Sequence, residues 1–326
     1  MFWLILLLML LVILLILLYK RVRQDSRVKM AREEMPGKVV VITGANTVLG
    51  SNIAASFYGA GAKVVLVGTN QRELERVRTQ LFAMRPKNVP VYQPEIVPME
   101  LNVSEMSAKE AVADIMETCG QVDILINNST ICPRSDVLST SIHDDIRVMN
   151  VNYFSPIALT KAMLPGMIAR KSGKIVFVSS VAGKVPIPYR SSFSASEHAL
   201  QAFADTLRAE VAQHNVTVLV SSPEYIADDF ERTDIESAEL TNEKEEKSEN
   251  TEVPVVADGV AKTVGDQPQK FSDDILLAVL GGADEHIKSS FLFSHWLRVT
   301  YPPFFHLMMA ERAKKMEPTN VVQQRF

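Results

Sequence analysis

A chain of 326 residues, 47% of them apolar, is long enough for one large α/β domain plus a short appended segment. Its 34 basic and 38 acidic residues leave a net charge of −4, which excludes the basic footprint expected of a nucleic-acid-binding protein. Two cysteines, Cys119 and Cys132, imply no disulfide framework and fit a reducing compartment, and no metal-ligating set is expected.

The chain opens with an unbroken apolar run from Phe2 to Leu18. As a helix of about 18 residues it would extend roughly 27 Å, just enough for a bilayer core. Tyr19 follows at the expected interface, then Lys20, Arg21, Arg23, Arg27 and Lys29. No basic residue precedes the run and no small-residue cleavage site follows it, so residues 1–19 are expected to be an anchor helix rather than a cleaved signal. The basic flank predicts that the main domain faces the cytoplasm. The alternative is a hydrophobic tail lying in one leaflet, as on a lipid droplet.

Residues 20–36 form a basic linker ending at Pro36-Gly37. Lys38 to Thr43 is β-branched and apolar, a buried strand. Leu49 to Tyr58 predicts a helix, Lys63 to Thr69 a second strand, and Gln71 to Met84 a helix with a charged outer face. A third strand is expected at Met99 to Val103, beginning after Pro98, which cannot donate to a ladder. Val122 to Asn128, Lys174 to Ser180 and Val216 to Ser222 give three more strands, with helices between at 106–118, 152–171 and 193–214. This alternation predicts an α/β fold with a doubly wound parallel sheet over residues 37–227.

Residues 228–271 break the pattern: about nine acids stand against three bases over 231–252, a mixture that buries no core. They are expected to form a flexible acidic loop. Residues 272–326 then complete the domain, with a helix at Ser272 to Leu280 and an apolar-aromatic stretch at Trp296 to Lys315 interrupted by Pro302-Pro303. Core packing is the first role expected of that stretch, with closure over a pocket or contact with a membrane surface as alternatives.

Thr43-Gly44-Ala45-Asn46-Thr47-Val48-Leu49-Gly50 follows the first strand and opens the first helix. That context suits a dinucleotide-binding turn, where glycines admit the pyrophosphate and the helix N-terminus offers N–H groups to it. Asn127-Asn128 ends the fourth strand, Asn152 lies in the following helix, and Ser179-Ser180 ends the fifth strand. One glycine-rich turn is a weak signal; this ordered set is a strong one.

From about Gly37 to Val220 the chain resembles the short-chain dehydrogenase/reductase family, whose domain is of the Rossmann type. Gly183-Lys184-Val185-Pro186-Ile187-Pro188 and the anchor look most like its membrane-anchored dehydrogenase/reductase member 7/7B group. The resemblance implies that Thr43, Gly44, Asn46, Val48, Leu49 and Gly50 form the phosphate turn and that Asn127 supports the cofactor. It implies that Asn152 holds a proton-relay water and that Ser180 orients the substrate carbonyl. Asn102 takes the place of an acid that contacts adenine. Thr69 takes that of an arginine that reads an NADP 2′-phosphate, with Arg72 as a substitute. Pro223 keeps the first position of a Pro-Gly pair near the nicotinamide, while the glycine has become Glu224 and a nearby threonine Asp228. Val48 replaces the middle glycine, where a branched side chain crowds the pyrophosphate and is disfavoured at positive φ.

The family's proton donor is a tyrosine followed four residues later by a lysine, which lowers the phenol pKa and holds the ribose hydroxyls. In Ser192-Phe193-Ser194-Ala195-Ser196-Glu197 those positions are Phe193 and Glu197. Phe193 has no hydroxyl. Glu197 could accept hydrogen bonds from a ribose, but it places negative charge near a polyanion. Tyr189, one short loop earlier with Lys184 close behind it, could supply a relocated acid; packing on the loop or lining the pocket is its bland alternative. His198 points to another part of the helix and reads as structural.

The expectation is therefore a membrane-anchored protein with the family's fold and a degenerate site, a pseudoenzyme with a binding or regulatory role. NADP(H) would be its cofactor if it has one, with binding weakened or lost. Expected partners are the membrane, a homodimer or a heterodimer with an active family member, and a lipid-like small molecule. The expected location is the endoplasmic reticulum or a lipid droplet. The alternative is an NADP(H)-dependent oxidoreductase with a rearranged site, acting on a steroid, retinoid or acyl lipid.

Overall fold

Val39–Thr43 (β1) is a run of β-branched residues ending in threonine, and all five are buried. A strand buried on both faces belongs in the middle of a sheet. The structure, a computed structural model, describes residues 35–100, 105–223, 267–287 and 289–316, with scattered positions between 12 and 34. After β1 come Val48–Gly59 (α1), Lys63–Gly68 (β2), Gln71–Met84 (α2), Glu95–Pro98 (β3), Glu105–Cys119 (α3) and Ile124–Asn127 (β4). Then follow Ile142–Met149 (α4), a π-helical turn at Asn150–Phe154, Ser155–Arg170 (α5), Gly173–Val178 (β5), a 3₁₀ turn at Val181–Gly183 and Ser191–Val211 (α6). Val216–Ser222 (β6), Pro268–Gly281 (α7), Glu285–Ile287 (β7), Ser289–Thr300 (α8) and Pro302–Met316 (α9) complete the order.

Among the described residues the strands form one parallel sheet in the order β3-β2-β1-β4-β5-β6-β7. The alternation of side chains along each strand sends neighbours to opposite faces. Val40, Ile42 and Leu66 pack with Ile53, Phe57 and Leu74 of α1 and α2, and with Ile275 and Val279 of α7. Val39, Val41 and Val65 face the other way, onto Ile115, Met163, Leu200 and Leu207 of α3, α5 and α6. Each fully buried side chain of this kind is worth about 1.5–3 kcal/mol, so the two apolar layers carry the doubly wound arrangement.

The third strand lies earlier than the sequence suggests. It ends at Pro98, which pairs in register with Gly68. β3 is an edge strand, so no second neighbouring strand is deprived of the hydrogen bond that a proline cannot donate. The helix expected over 152–171 begins inside the π turn and continues as α5, and α4 precedes it as a helix the sequence reading missed. β4 and β5 stop short of Asn128 and Ser179, whose side chains bond to the turn after β1 and to Glu197 of α6 respectively. α7 begins inside the segment assigned to the acidic loop, and residues 224–266 lie outside the described residues.

No helix of the described residues is long and apolar enough to cross a membrane. The anchor expectation falls on residues mostly outside them; Val12, Leu15 and Leu18 are described, each helical and exposed. Cys119 and Cys132 are both free thiols.

Candidate functional site

The strand order reverses between β1 and β4, and in such sheets ligands bind outside the carboxyl ends of the strands at that point. The ends of β1 and β4 are stitched together there. Thr43 Oγ1 accepts from the backbone N–H groups of Asn128 at 2.9 Å and Ser129 at 3.1 Å. Asn128 Nδ2 donates to the carbonyls of Thr43 and Gly44. Gly44 has φ +62, and a Cβ added to Gly50 would stand 2.1 Å from the Gly44 carbonyl oxygen. Both glycines are therefore demanded by the close turn itself.

Thr47 caps α1. Its Oγ1 donates to the Gly44 carbonyl and accepts from Gly50 N–H at 3.0 Å. The threonine three residues before Gly50 is an N-cap signal that the motif reading passed over. Val48 is the first residue of α1 and is not among the residues with positive φ. The expected backbone conflict at Val48 is thus corrected: helical φ suits valine, and only its bulk distinguishes it from glycine. Leu49, expected at the cofactor, is buried in the core against the sheet. Asn46 Oδ1 lies over the end of β2, where a Cβ on Gly68 would meet it at 2.2 Å.

Beyond Gly68, Thr69 and Arg72 are exposed and line an open cleft with Gln71 and Glu75. Asn70 caps α2 by accepting from Glu73 N–H at 3.2 Å. Asn102, Glu224 and Asp228 lie outside the described residues.

On the other side of the switch point, Asn127 Nδ2 donates to Thr160 Oγ1 at 3.3 Å, while its Oδ1 is buried with no hydrogen-bond partner. Asn152 sits in the π turn, the kind of helix irregularity that re-aims a side chain. Its Oδ1 accepts from Ile131 N–H, and its Nδ2 donates to the Ile131 carbonyl at 2.9 Å and to Ser196 Oγ at 3.0 Å. Both amide hydrogens are used in tying the π turn to α6 and to the loop after β4. Ser180 Oγ accepts from Ala182 N–H at 3.2 Å and caps the 3₁₀ turn. Pro223 presents its carbonyl to Val181 N–H at 3.3 Å.

Phe193 and Glu197 are one turn apart on α6 and share a face. Phe193 is 2% exposed and packs with Cys132, Ala182 and Ile187. Glu197 is 1% exposed. Ser179 Oγ donates to Glu197 Oε2 at 2.6 Å. Burial pushes the Glu197 carboxyl up to about 7, against the pull of the Ser179 hydroxyl and the Ser180 backbone. Thr130 Oγ1 is buried near the carboxyl but makes no hydrogen bond of ordinary geometry. Ser179 is the partner that the sequence reading missed; it was visible there only as the neighbour of Ser180.

Tyr189 is half-buried with φ +62, an uncommon conformation for a bulky residue. Its carbonyl accepts from Ser135 N–H at 3.0 Å, and Arg190 beside it donates to the Cys132 carbonyl at 3.0 Å. His198 is held by the Ser194 carbonyl and by Arg298 Nη1, at 2.8 Å each. Lys184 pairs with Glu285.

A dinucleotide laid across this switch point meets two different surfaces. The strand–turn–helix around Gly44 and Gly50 has the backbone shape for a pyrophosphate. At the ends of β4 and β5, α6 presents a buried phenyl ring and a buried carboxyl already engaged by Ser179. The phenyl ring of Phe193 has no proton to give a carbonyl oxygen, and the Glu197 carboxyl places no cation beside a ribose. The nicotinamide half does not fit.

Residues 38–239 match the family model of the short chain dehydrogenase. A Drosophila melanogaster protein described as "Dehydrogenase/reductase SDR family protein 7-like" is 43% identical over 289 residues, covering 88% of this chain and 83% of that protein. The "Dehydrogenase/reductase SDR family member 7B" of Bos taurus is 38% identical over 279 residues, 85% of this chain and 82% of its own. The crystal structure of a short-chain dehydrogenase from Streptomyces avermitilis superposes with a TM-score of 0.63 at 20% identity, over 85% of this chain and 100% of that one. A metagenomic short-chain oxidoreductase in complex with NADP gives a TM-score of 0.54 at 25% identity, over 63% of this chain and 91% of that one.

Proposed function

The chain belongs to the short chain dehydrogenase family, and from that premise we propose that it is a membrane-anchored member whose redox site is degenerate and whose role is binding or regulation. One observation carries the reading. The two positions that resemble the family's tyrosine and lysine are Phe193, sealed in an apolar cluster, and Glu197, turned inward onto Ser179. Losing the phenol removes the proton donor altogether. Replacing the cation with a buried acid removes both the charge that would tune a phenol and a support for a ribose. NADP(H) binding is correspondingly weakened or lost.

The apolar run Phe2 to Leu18 with its basic flank supports a single N-terminal anchor and a cytoplasmic main domain, on the endoplasmic reticulum or a lipid droplet. The partners that fit are the membrane itself, a lipid-like small molecule, and a second copy or an active family member. α5 and α6 are the helices that resemble the family's dimer-forming pair.

A second reading is an NADP(H)-dependent oxidoreductase acting on a lipid-soluble alcohol or ketone such as a steroid, retinoid or acyl lipid. It is favoured by the half-buried phenol of Tyr189, held in a left-handed backbone conformation just before α6. The experiment is turnover by the purified full chain in detergent with NADPH and a panel of such ketones. The degenerate reading expects no NADPH oxidation above a Ser180→Ala control. Oxidation that is lost in Tyr189→Phe installs the second reading.

A further inference from the structure

The α8–α9 pair has one inner face and one outer face, and they differ in kind. On the inner face Leu297 and Phe305 close with Val185 into a small apolar cluster. Arg298 Nη1 donates to the Lys184 carbonyl at 3.1 Å. The pair is therefore fastened to the loop that follows Ser180. On the outer face Phe293, Trp296, Tyr301, Phe304 and Leu307 are each at least half exposed. Phe293 stacks on Trp296 at 5.7 Å, and Trp296 meets Tyr301 edge-on at 5.8 Å, so these three rings form one continuous group. Large exposed apolar patches of this sort mark an interaction surface.

Charge says what the surface meets. Along α9 the face that begins with Phe304 and Met308 continues into Arg312 and Lys315 at helical spacing. These residues line a cleft of about 460 Å³ between the two helices. The acid within it, Glu311, is bonded to Lys314 at 2.7 Å, which leaves Arg312 and Lys315 without ion-pair partners among the described residues. Exposed aromatics including Trp and Tyr, bordered by unpaired cations, are the composition of a face that lies in a membrane interface against anionic headgroups.

We propose that the outer face of the α8–α9 pair docks on an anionic lipid bilayer, with Trp296 and Phe304 entering the leaflet and Arg312 and Lys315 meeting its headgroups. The inference goes beyond the degenerate-site reading and does not depend on it. The N-terminal anchor would hold this face close to a bilayer, raising its effective concentration there. The inner face then links membrane contact to the loop carrying Ser180 through Val185 and Lys184.

The chain has two tryptophans, Trp3 and Trp296, so Trp3→Phe leaves Trp296 as the sole reporter in the full-length protein. That variant is reconstituted into phosphatidylcholine vesicles, with and without phosphatidylserine, carrying bromine on the acyl chains. The expected result is severalfold quenching of Trp296 emission that deepens with phosphatidylserine. It should be largely abolished by adding Phe304→Asp and Leu307→Asp, with the circular dichroism unchanged. Adding Arg312→Glu and Lys315→Glu should remove the phosphatidylserine dependence alone. The proposal is overturned if the protein floats with the vesicles while Trp296 stays unquenched by bromine and open to aqueous acrylamide. It is equally overturned if Trp296 is shielded only in a concentration-dependent dimer, or if the full chain does not float with vesicles at all, the last of which also removes the anchor.

Discussion

Ser179, at the carboxyl end of the fifth strand, donates a hydrogen bond to Glu197 on the helix that faces it, across 2.6 Å in a buried setting. A carboxyl so enclosed holds its proton well above its ordinary value of 4.5, up to about 7, because burial penalises the charged form. The folded state therefore binds this proton more tightly than the unfolded chain does. The resulting stability is fully present below about pH 4.5 and is lost as pH rises through about 7. The span corresponds to about 3 kcal/mol at most. Glu197→Gln keeps an acceptor for Ser179 and removes the titration. Chemical denaturation should show wild type losing about 2–3 kcal/mol between roughly pH 5 and pH 8 relative to a Glu197→Gln protein. Parallel pH profiles for the two would mean that Glu197 is solvated and free to face a ligand.

Phe193→Tyr places a hydroxyl among Cys132, Ala182 and Ile187. Burying a hydroxyl among apolar groups and a thiol, a weak hydrogen-bonding partner, should cost about 1–3 kcal/mol in thermal or chemical unfolding. On its own it should bring no NADPH oxidation, because Glu197 remains where a cation is needed. A stable Phe193→Tyr protein with turnover would show that the site is a single residue away from working.

Two glycines of the same helix separate close packing from simple propensity. A Cβ on Gly50 would meet the Gly44 carbonyl oxygen at 2.1 Å and its carbon at 2.8 Å, both backbone atoms. Gly59, at the far end of that helix, has nothing within 4 Å. Gly50→Ala should destabilise by about 2 kcal/mol or more, since the turn must open to admit it. Gly59→Ala should be neutral or stabilise by up to about 1 kcal/mol. Equal effects at the two sites would contradict the tight turn after the first strand.

Most of the sheet was legible because its strands are buried on both faces and so read as unbroken apolar runs. Val39–Thr43 and Val216–Ser222 are of this kind. Ile142–Met149 was not legible from periodicity, because Ile142 and Ile146 point to solvent and only Val148 is buried. Its start was nonetheless written as a capping box, with Ser141 and Asp144 exchanging side-chain and backbone bonds. β7 is three residues long, none of them buried, too short and too exposed for any pattern. At the site, the identities of Phe193 and Glu197 could be read directly. The inward turn of Glu197 onto Ser179 could not, because that bond joins residues 18 positions apart through tertiary packing.

Asn152 makes its three bonds to Ile131 N–H, the Ile131 carbonyl and Ser196 Oγ. Asn152→Ala leaves the Ile131 backbone groups without these partners in a buried loop. Unfolding should become easier by about 2–6 kcal/mol, from two unsatisfied groups at about 1–3 kcal/mol each. A change below about 0.5 kcal/mol would indicate that water readily replaces the side chain there, as a relay role requires.

The central claim is that the fold is sound and the redox site is closed. The measurement that reaches it most directly is calorimetric titration of NADPH and NADH into the full chain in detergent, with the Val48→Gly, Phe193→Tyr, Glu197→Lys protein beside it. The account predicts no binding by wild type and recovered NADPH binding by the triple variant. If wild type itself binds NADPH at micromolar strength, about −8 kcal/mol, the cofactor site is open and the degenerate reading is wrong.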